Sequence, residues 1–448
     1  MRINPHRGSV RLVAIGATLA LTLAACNGDD GGGDGTETPT DAGPVPGIVD
    51  EPCENAPTGS NDQCVYLGQI TDLTGVFAGA GTMIAAAIED FWDAVNTEGG
   101  INGYDIDVRT YVEDTGYSVD AHAAAYEKIA GNVFALAQSL GTNHTVGVLD
   151  AIEADNMVGF AATLWSGWEF EPNIVQFGPN YCFEAINAVD WAVENHDVTS
   201  VMSVHLPGDY GGDGAAGVTI GATGNGIEEL PSHQFNPDPA AEDQAAEQAV
   251  QAILTNDPEL VVLSLAPASA AKVIGGAVGA GYTGRFMGLV PVDSTPLIAK
   301  AVNTDLQPAL ATSNFIMASG EFGSDTPGHQ AAAAASAASG VEGRVQNEFY
   351  TLGWAGAYAL KTLLDEVLGT DSPTRADMVA AASEFTVDYQ GMSPTRTFGG
   401  DPNANVQRSS GIGEFNVDAP LGLAQIEADY TGPTAADHEF TAACVDVA

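Results

Sequence analysis

The regular alternation of apolar strands with amphipathic helices constrains the fold of this chain more than any other feature of its sequence. "VYLGQIT", which begins at Val65, predicts a buried strand, and "TMIAAAIEDFWDAVNTEGG" predicts a helix because Ile84, Ile88 and Phe91 recur on one face. The same alternation of strand and helix resumes later, where helical patterns separate the predicted strands "VTSVMSVHL", "PELVVLSLA" and "RFMGLVP". Such alternation predicts an α/β fold whose parallel sheets carry helices on both faces. Two runs of it, joined near "VQFGPNY", predict two lobes.

The N-terminal segment does not share this pattern. Three arginines precede an apolar stretch over residues 12–25, which is typical of a secretory signal and too short to span a membrane as a helix. The "LAAC" that ends at Cys26 resembles a bacterial lipobox, so we expect residues 1–25 to be a lipoprotein signal peptide and Cys26 to be lipidated. An ordinary signal peptide followed by a chance cysteine is the alternative. Residues 26–63 are predicted to form a flexible Gly-, Asp- and Pro-rich tether, since such a run buries too little apolar surface to fold.

The charge of the chain excludes one class of partner. Thirteen Lys and Arg against 59 Asp and Glu give a formal net charge of −46. Nucleic acid is not expected as a partner, because binding phosphates requires clustered Lys and Arg. A field of this sign also disfavours strongly anionic ligands unless a local site overrides it. A solvated acidic surface suited to a salty or cell-wall environment is the favoured explanation of the charge.

Four cysteines follow Cys26, and their even number in an exported chain predicts two disulfides. Three pairings are possible. Cys53 and Cys64 are close in sequence across the turn-rich "ENAPTGSNDQ", which favours a bond between them and leaves Cys182 to pair with Cys444. No CxxC occurs, so we expect no zinc or redox site.

Two stretches fit the glycine pattern of dinucleotide-binding proteins. "GAGYTG" at residues 279–284 precedes a predicted strand, which is the reverse of the required order. "GDGAAG" at residues 212–217 is better placed, but Asp213 would put a negative charge inside the phosphate turn. A dinucleotide-binding enzyme is therefore a less favoured alternative. The chain contains neither HExxH nor GxSxG, so the sequence predicts a binding protein without cofactor, metal or catalytic residues rather than an enzyme.

Several stretches, taken in their order, resemble the type I periplasmic binding proteins of the branched-chain amino acid transport group. "LTGVFAGAGTMIAAAIEDFWDAVNTEGGINGYDIDVRTYVED" is similar to the first lobe of that family, and "GTNHTVGVLDAIEADNMVGFAATLWSGW" to its next ligand-lining segment. "HLPGDYGGDGAAG" resembles the second-lobe turn in which Tyr-Gly opens a helix, and "RVQNEFYTLGWAGAYAL" the return helix of the first lobe. The resemblance spans nearly all of residues 65–430.

The resemblance implies two Rossmann-like lobes, each a parallel sheet flanked by helices, joined by a multi-strand hinge. We expect lobe 1 to comprise residues 64–178 and 317–398, and lobe 2 residues 179–316 and 399–448 with a C-terminal tail. A monomer of this kind would capture a small polar solute, such as an amino acid or amide, and deliver it to the permease and ATPase subunits of an ABC importer. Its lipid anchor would hold it on the outer face of the cell membrane. A ligand-sensing ectodomain that acts through a membrane partner is the alternative.

Six ligand-contacting residues follow from the resemblance: Gly141, Thr142, Ala162, Thr163, Trp165 and Tyr210. The first four are expected to offer backbone and hydroxyl hydrogen bonds, the tryptophan an apolar wall, and the tyrosine a ring that closes from lobe 2. Amino-acid binders of this family usually place a second-lobe carboxylate against the ligand ammonium. Here Pro291 and Val292 occupy that place and Asp293 is displaced, which disfavours an α-amino acid and leaves an amide, urea-like or aromatic acid ligand open.

Overall fold

The computed structural model describes residues 45–236, 238–292, 306–320, 324–341, 347–419 and 422–447. The predicted signal peptide, Cys26, the start of the predicted tether and Asp293 lie outside these residues. Within the described ranges, no helix combines the length and the apolar character needed to cross a membrane.

Strands and helices alternate along most of the described chain. The strands are β1 (Ile48–Val49), β2 (Gln63–Thr71), β3 (Tyr104–Asp107), β4 (Val112–Asp114), β5 (Ala135–Ser139), β6 (Gly159–Ala161), β7 (Ile174–Val175), β8 (Ser200–His205), β9 (Glu228–Glu229), β10 (His233–Gln234), β11 (Leu260–Ser264), β12 (Arg285–Gly288), β13 (Ser313–Met317), β14 (Glu384–Val387), β15 (Arg396–Gly399), β16 (Ser410–Phe415) and β17 (Leu423–Tyr430). The helices are α1 (Ala78–Thr97), α2 (Val119–Ile129), α3 (Thr142–Val146), α4 (Leu149–Ala154), α5 (Tyr181–His196), α6 (Asp209–Asn225), α7 (Glu242–Asn256), α8 (Pro267–Gly279), α9 (Gln307–Leu310), α10 (Pro327–Ala338), α11 (Glu348–Val367), α12 (Arg375–Ala382), α13 (Pro402–Asn405) and α14 (Pro433–Asp437).

Two large sheets organise most of these elements, and β14 and β15 form a separate antiparallel hairpin. In the first, β2 pairs in parallel with β3, β4 and β5, and β6 and β7 follow β5 in parallel, while β1 adds to β2 antiparallel. The second has the order β10-β8-β11-β12-β13-β16-β17, parallel up to β13 and antiparallel beyond it. We call the first sheet with its helices lobe 1 and the second with its helices lobe 2. The predicted α/β fold with helix-flanked parallel sheets is confirmed.

Long helices from distant parts of the chain cover the sheet of lobe 1. The apolar faces of α1 and α11 meet in one core, where Phe91 contacts Trp354 with their ring centroids 5.0 Å apart. The chain reaches α11 only after building most of lobe 2, and it returns to lobe 2 after β15. It therefore passes between the lobes after β7, β13 and β15. The predicted lobe boundaries remain a proposal, although they assign the strands from β2 to β7 to lobe 1, as the first sheet does.

Residues 45–63 are part of lobe 1 and do not form the flexible tether that the sequence predicts for them. Strand β1 pairs with β2, and Cys53 forms a disulfide with Cys64. Between these two points, the backbone N–H groups of Asn55 and Asn61 donate to the carboxylates of Asp107 and Asp105 at 2.9 and 2.8 Å. These fixed partners give the segment its structure without a large apolar surface.

Both predicted disulfides are present. Besides Cys53–Cys64, a bond joins Cys182 in α5 to Cys444 near the C-terminus, across 262 residues of sequence. The second bond holds the C-terminal tail, residues 438–447, against the body of the protein.

Helix α5 was missed by the sequence prediction, as were β1, α10 and the β14–β15 hairpin. Its first twelve residues are all buried, and they include Glu184, Asn187 and Asp190. A helix that is buried on every side does not show the apolar stripe of a surface helix. Some of its polar side chains find partners in the interior: Asn187, for example, donates to the carbonyl of Arg408 at 2.7 Å.

We predict that Gly353→Ala destabilises the protein by about 1–3 kcal/mol, because a well-packed core resists an added methyl group. A Cβ at Gly353, in α11, would lie 2.5 Å from the carbonyl oxygen of Ile84 and 3.0 Å from the Cβ of Ala87, both in α1. Chemical denaturation of the purified variant measures the change. Gly79→Ala in α1 is the control, since nothing lies within 4 Å of its Cβ. Equal stability of the two variants would contradict close packing of α1 on α11.

Candidate functional site

A cavity of about 360 Å³ lies between the two lobes, a size typical of small-molecule sites. Its walls come mainly from loops that follow the carboxyl ends of parallel strands, namely those after β2, β5, β6, β8 and β12. Open α/β sheets place ligands at these ends. The lining residues are Val76, Phe77, Ala80, Ile84, Tyr117, Leu140, Thr142, Asn143, His144, Ala162, Thr163, Leu164, Tyr181, Leu206, Pro207, Asp209, Tyr210, Val290, Pro291, Phe349 and Leu352.

Four of the six predicted contact residues line this cavity: Thr142, Ala162, Thr163 and Tyr210. Thr142 begins α3 and its hydroxyl donates to the hydroxyl oxygen of Thr163 at 3.0 Å. From lobe 2, the Tyr210 ring packs on Tyr181 with centroids 4.7 Å apart, and its hydroxyl donates to the carbonyl of Leu265 at 3.3 Å. The resemblance therefore correctly indicated residues from both walls of one cavity.

Gly141 lies beside the cavity and does not line it among the described residues. Its φ of 104° is one that glycine adopts easily, and a Cβ there would collide with the imidazole of His144. Its carbonyl accepts from the backbone N–H and the hydroxyl of Thr145, both at 2.9 Å. Gly141 thus shapes the turn into α3 and leaves room for His144.

Among the described residues, Trp165 does not line the cavity, whereas the sequence predicted that it would form an apolar wall of the site. Its ring packs against Trp168 and its indole N–H donates to the carbonyl of Val445 at 3.0 Å. The C-terminal tail, which approaches from 280 positions away, therefore contacts this tryptophan. A local sequence pattern contains no sign of such a partner.

The nearby Trp168 contacts a lining residue of the cavity, although through a hydrogen bond and not as the apolar wall that was predicted for Trp165. The indole N–H of Trp168 donates to the hydroxyl oxygen of Thr163 at 3.2 Å. Thr163 thus accepts hydrogen bonds from Trp168 and from Thr142, and its own proton is left to donate. Its hydroxyl supports the wall as well as facing the cavity.

Seven polar or aromatic lining residues were not predicted: Phe77, Tyr117, Asn143, His144, Tyr181, Asp209 and Phe349. His144 and Asp209 stand within the very stretches that carry the resemblance, "GTNHT" and "PGDYGG", so a signal was available. Tyr181 opens α5, the helix that the sequence prediction missed. The Tyr117 ring lies between Phe77 and His144, at centroid distances of 4.6 and 4.3 Å.

Asp209 dominates the electrostatics of the cavity. Burial, and after it the charge of Asp209, raises the pKa of both Tyr117 and Tyr181 well above the usual value for tyrosine. Both phenols are therefore protonated at neutral pH. Within the described chain, no donor hydrogen-bonds to the Asp209 carboxylate, and both ring nitrogens of His144 lack a hydrogen-bond partner.

The "GDGAAG" stretch lies inside α6 and is not a phosphate-binding turn. Its glycines allow close packing of α6 on α5: a Cβ at Gly217 would collide with the carbonyl of Cys182. The buried Asp213 accepts from the backbone N–H and the hydroxyl of Ser166, at 2.6 and 2.7 Å. Burial raises the pKa of Asp213 to about 7. The dinucleotide alternative is excluded by this geometry.

Comparisons with known proteins agree with this architecture. A family model described as "periplasmic binding protein" matches residues 65–418. No curated protein sequence matches the chain significantly.

Among solved structures, a fatty acid ABC transporter substrate-binding protein from Thermomonospora curvata is similar, at 24% identity and a TM-score of 0.77 over 88% of this chain and 97% of that one. A branched-chain amino acid ABC transporter protein from Thermus thermophilus with bound valine has 16% identity and a TM-score of 0.69, over 84% and 98%. A solute-binding protein from R. palustris in complex with benzoate has 14% identity and a TM-score of 0.65, over 82% and 98%.

We predict that Thr163→Val lowers the free energy of unfolding of the ligand-free protein by about 1–3 kcal/mol, because the buried Trp168 indole N–H loses its acceptor. Thermal and chemical denaturation measure the loss. Thr163→Ser keeps the hydroxyl and serves as the control, with a smaller change expected. A Val variant as stable as the wild type would show that this hydroxyl has no structural role.

Proposed function

This chain belongs to the periplasmic binding protein family, and we propose that it captures a small solute between its lobes and delivers that solute to an ABC importer. The observation that carries the proposal is the cavity itself, to which both lobes contribute walls. A ligand that contacts both walls binds the closed arrangement more tightly than an open one, so it shifts the population towards closure. A permease can then distinguish the loaded protein from the empty one.

The lining supports a solute with a larger apolar part than the small polar solute predicted from the sequence. Thirteen of the described lining residues are aliphatic, proline or phenylalanine, and three are tyrosine. Burying apolar surface contributes about 25 cal/mol per Å², so such walls favour a hydrocarbon or aromatic body. Of the three similar solved proteins described above, one is a fatty acid transporter protein, one has bound valine and one is in complex with benzoate, and each of these compounds has an apolar part.

Identification of the bound solute tests the proposal. We expect the protein, purified without denaturation, to release a compound with a mainly apolar body when it is unfolded for mass spectrometry. Added back to ligand-free protein, this compound should bind at a 1:1 ratio in calorimetry and raise the melting temperature. Tyr210→Ala should weaken its binding at least about tenfold, since the ring forms part of the wall.

Tyr104→Ala is the control, because Tyr104 lies in β3 and does not line the cavity. Cells that lack the protein should take up the compound more slowly than cells that contain it. If no compound is released and none raises the melting temperature, the protein is not a solute-binding protein. If the compound binds but uptake is unchanged, delivery to an importer is wrong.

We also infer that Cys26 carries a lipid that anchors the protein on the outer face of the membrane. Support comes from the position of the cysteine directly after the apolar run, ahead of a Gly- and Asp-rich stretch. Cys26→Ala should shift the protein from the detergent phase to the aqueous phase in a partition experiment and abolish labelling by a radioactive fatty acid. Equal partition of mutant and wild type would contradict the anchor.

A further inference from the structure

The cavity has an unusual charge for a site lined mainly by apolar groups. Of the described residues that line it, Asp209 alone carries a formal charge. No donor in the described chain hydrogen-bonds to its carboxylate. Asp209 lies in the first turn of α6, where the helix dipole stabilises a negative charge by about 0.3–1 kcal/mol. The position of the residue in this turn thus favours a negative charge at the cavity, where no Lys or Arg lies among the described lining residues.

Aromatic rings line the same cavity as this carboxylate. Tyr117 comes from lobe 1 and packs on Phe77, whereas Tyr181 comes from the start of α5 and packs on Tyr210. Both tyrosines share the lining with Asp209, whose charge adds to the larger effect of burial in raising the pKa of each phenol. Aromatic faces attract cations, most strongly where water is excluded.

His144 adds an unused hydrogen-bonding group to the same cavity, from lobe 1. Its side chain is buried, with 6% of the residue's surface exposed, and neither ring nitrogen has a hydrogen-bond partner among the described residues. A buried polar group without a partner is costly, which points to a partner that the ligand supplies. A neutral imidazole offers one acceptor nitrogen, and this nitrogen suits an N–H donor of the ligand.

The field of the whole protein has the same sign as Asp209. With a net charge of −46, the surroundings concentrate cations near the cleft and repel anions. An anionic head group placed in the cavity would face Asp209 with no Lys or Arg among the described lining residues to offset the repulsion.

We propose that the solute is an organic ammonium ion with an apolar body. Its cationic head would lie against Asp209, between Tyr117 and Tyr181, and would donate to His144. Its body would extend along the apolar part of the wall, which includes Ile84, Phe349 and Leu352. This inference rests on the proposed function and specifies the ligand class of the same cavity.

Three probes that share one hydrocarbon body test the head group: octylammonium, octan-1-ol and octanoate. In calorimetry with ligand-free wild-type protein at low salt, octylammonium should bind about ten- to a hundredfold more tightly than octanol, as expected for hydrogen bonds to a charged group. Octanoate should bind most weakly. Binding of octanoate at least as tight as that of octylammonium would overturn the proposal, and so would failure of octylammonium to bind.

Asp209→Asn tests the assigned residue, because it removes the charge and keeps the shape. It should weaken octylammonium binding about ten- to a hundredfold and change octanol binding by less than about threefold. The control is Asp120→Asn, which changes the net charge equally in the exposed first turn of α2. Equal affinity of both variants for octylammonium would show that Asp209 does not bind the head group.

The results of these experiments distinguish an error in the ammonium assignment from an error in the proposed function. If a solute is released from the protein and is imported but carries no cation, the ammonium assignment is wrong and the binding function stands. If no solute is released and none of the three probes binds, both are wrong. Should Asp209→Asn fail to fold, the comparison of the three probes on the wild type still decides the head group.

Discussion

The contact between Asp213 and Ser166 determines where the two walls of the cavity stand. Asp213 lies in α6 of lobe 2, and Ser166 follows β6 of lobe 1; both side chains are fully buried. Three residues before Ser166 is Thr163, and three residues before Asp213 is Tyr210, so each partner lies one short step from a wall of the cavity. A carboxylate buried this deeply is tolerated only where donors surround it. The two hydrogen bonds therefore fix the spacing of the lobes at this edge of the cleft.

The C-terminal tail strengthens the same junction. The backbone N–H of Cys444 donates to the Ser166 hydroxyl at 2.8 Å, and the disulfide to Cys182 ties this point to α5. The carbonyl of Val445 accepts from Trp165, whose ring is therefore turned towards the tail. Lobe 1, lobe 2 and the tail thus meet at one buried cluster. Separating the lobes at Ser166 would break both of its hydrogen bonds to Asp213, so we expect this cluster to resist movement more than the rest of the cleft.

Features that depend on local periodicity, or on the number and spacing of cysteines, could be predicted from the sequence. The strand–helix alternation predicted both sheets, and the count and spacing of cysteines predicted both disulfides. Helix α5 was missed because burial on all sides removes the apolar stripe, and Trp165 was misplaced because its partner is Val445, far away in sequence. Thr142, Ala162, Thr163 and Tyr210 were predicted because the order of motifs resembles a known family. Asp209 and His144 were overlooked because the direction of a side chain depends on packing between the lobes.

The ligand expected from the sequence and the ligand proposed from the structure both depend on where a negative charge lies in the cavity. By the resemblance, Pro291 and Val292 stand where amino-acid binders of this family usually have a second-lobe carboxylate. Pro291 lines the cavity beside Val290, and Val292 is buried. The backbone N–H of Val290 donates to Glu184 at 3.1 Å, which holds this loop in place behind its apolar side chains. The carboxylate that does line the cavity comes from a different element, the first turn of α6. A cationic head directed to Asp209 leaves the space beside Val290 and Pro291 to the apolar body of the solute. Under the proposed ligand class, the carboxylate in α6 would thus recognise the charge, and the solute would lie in a different orientation from the one that the resemblance implies.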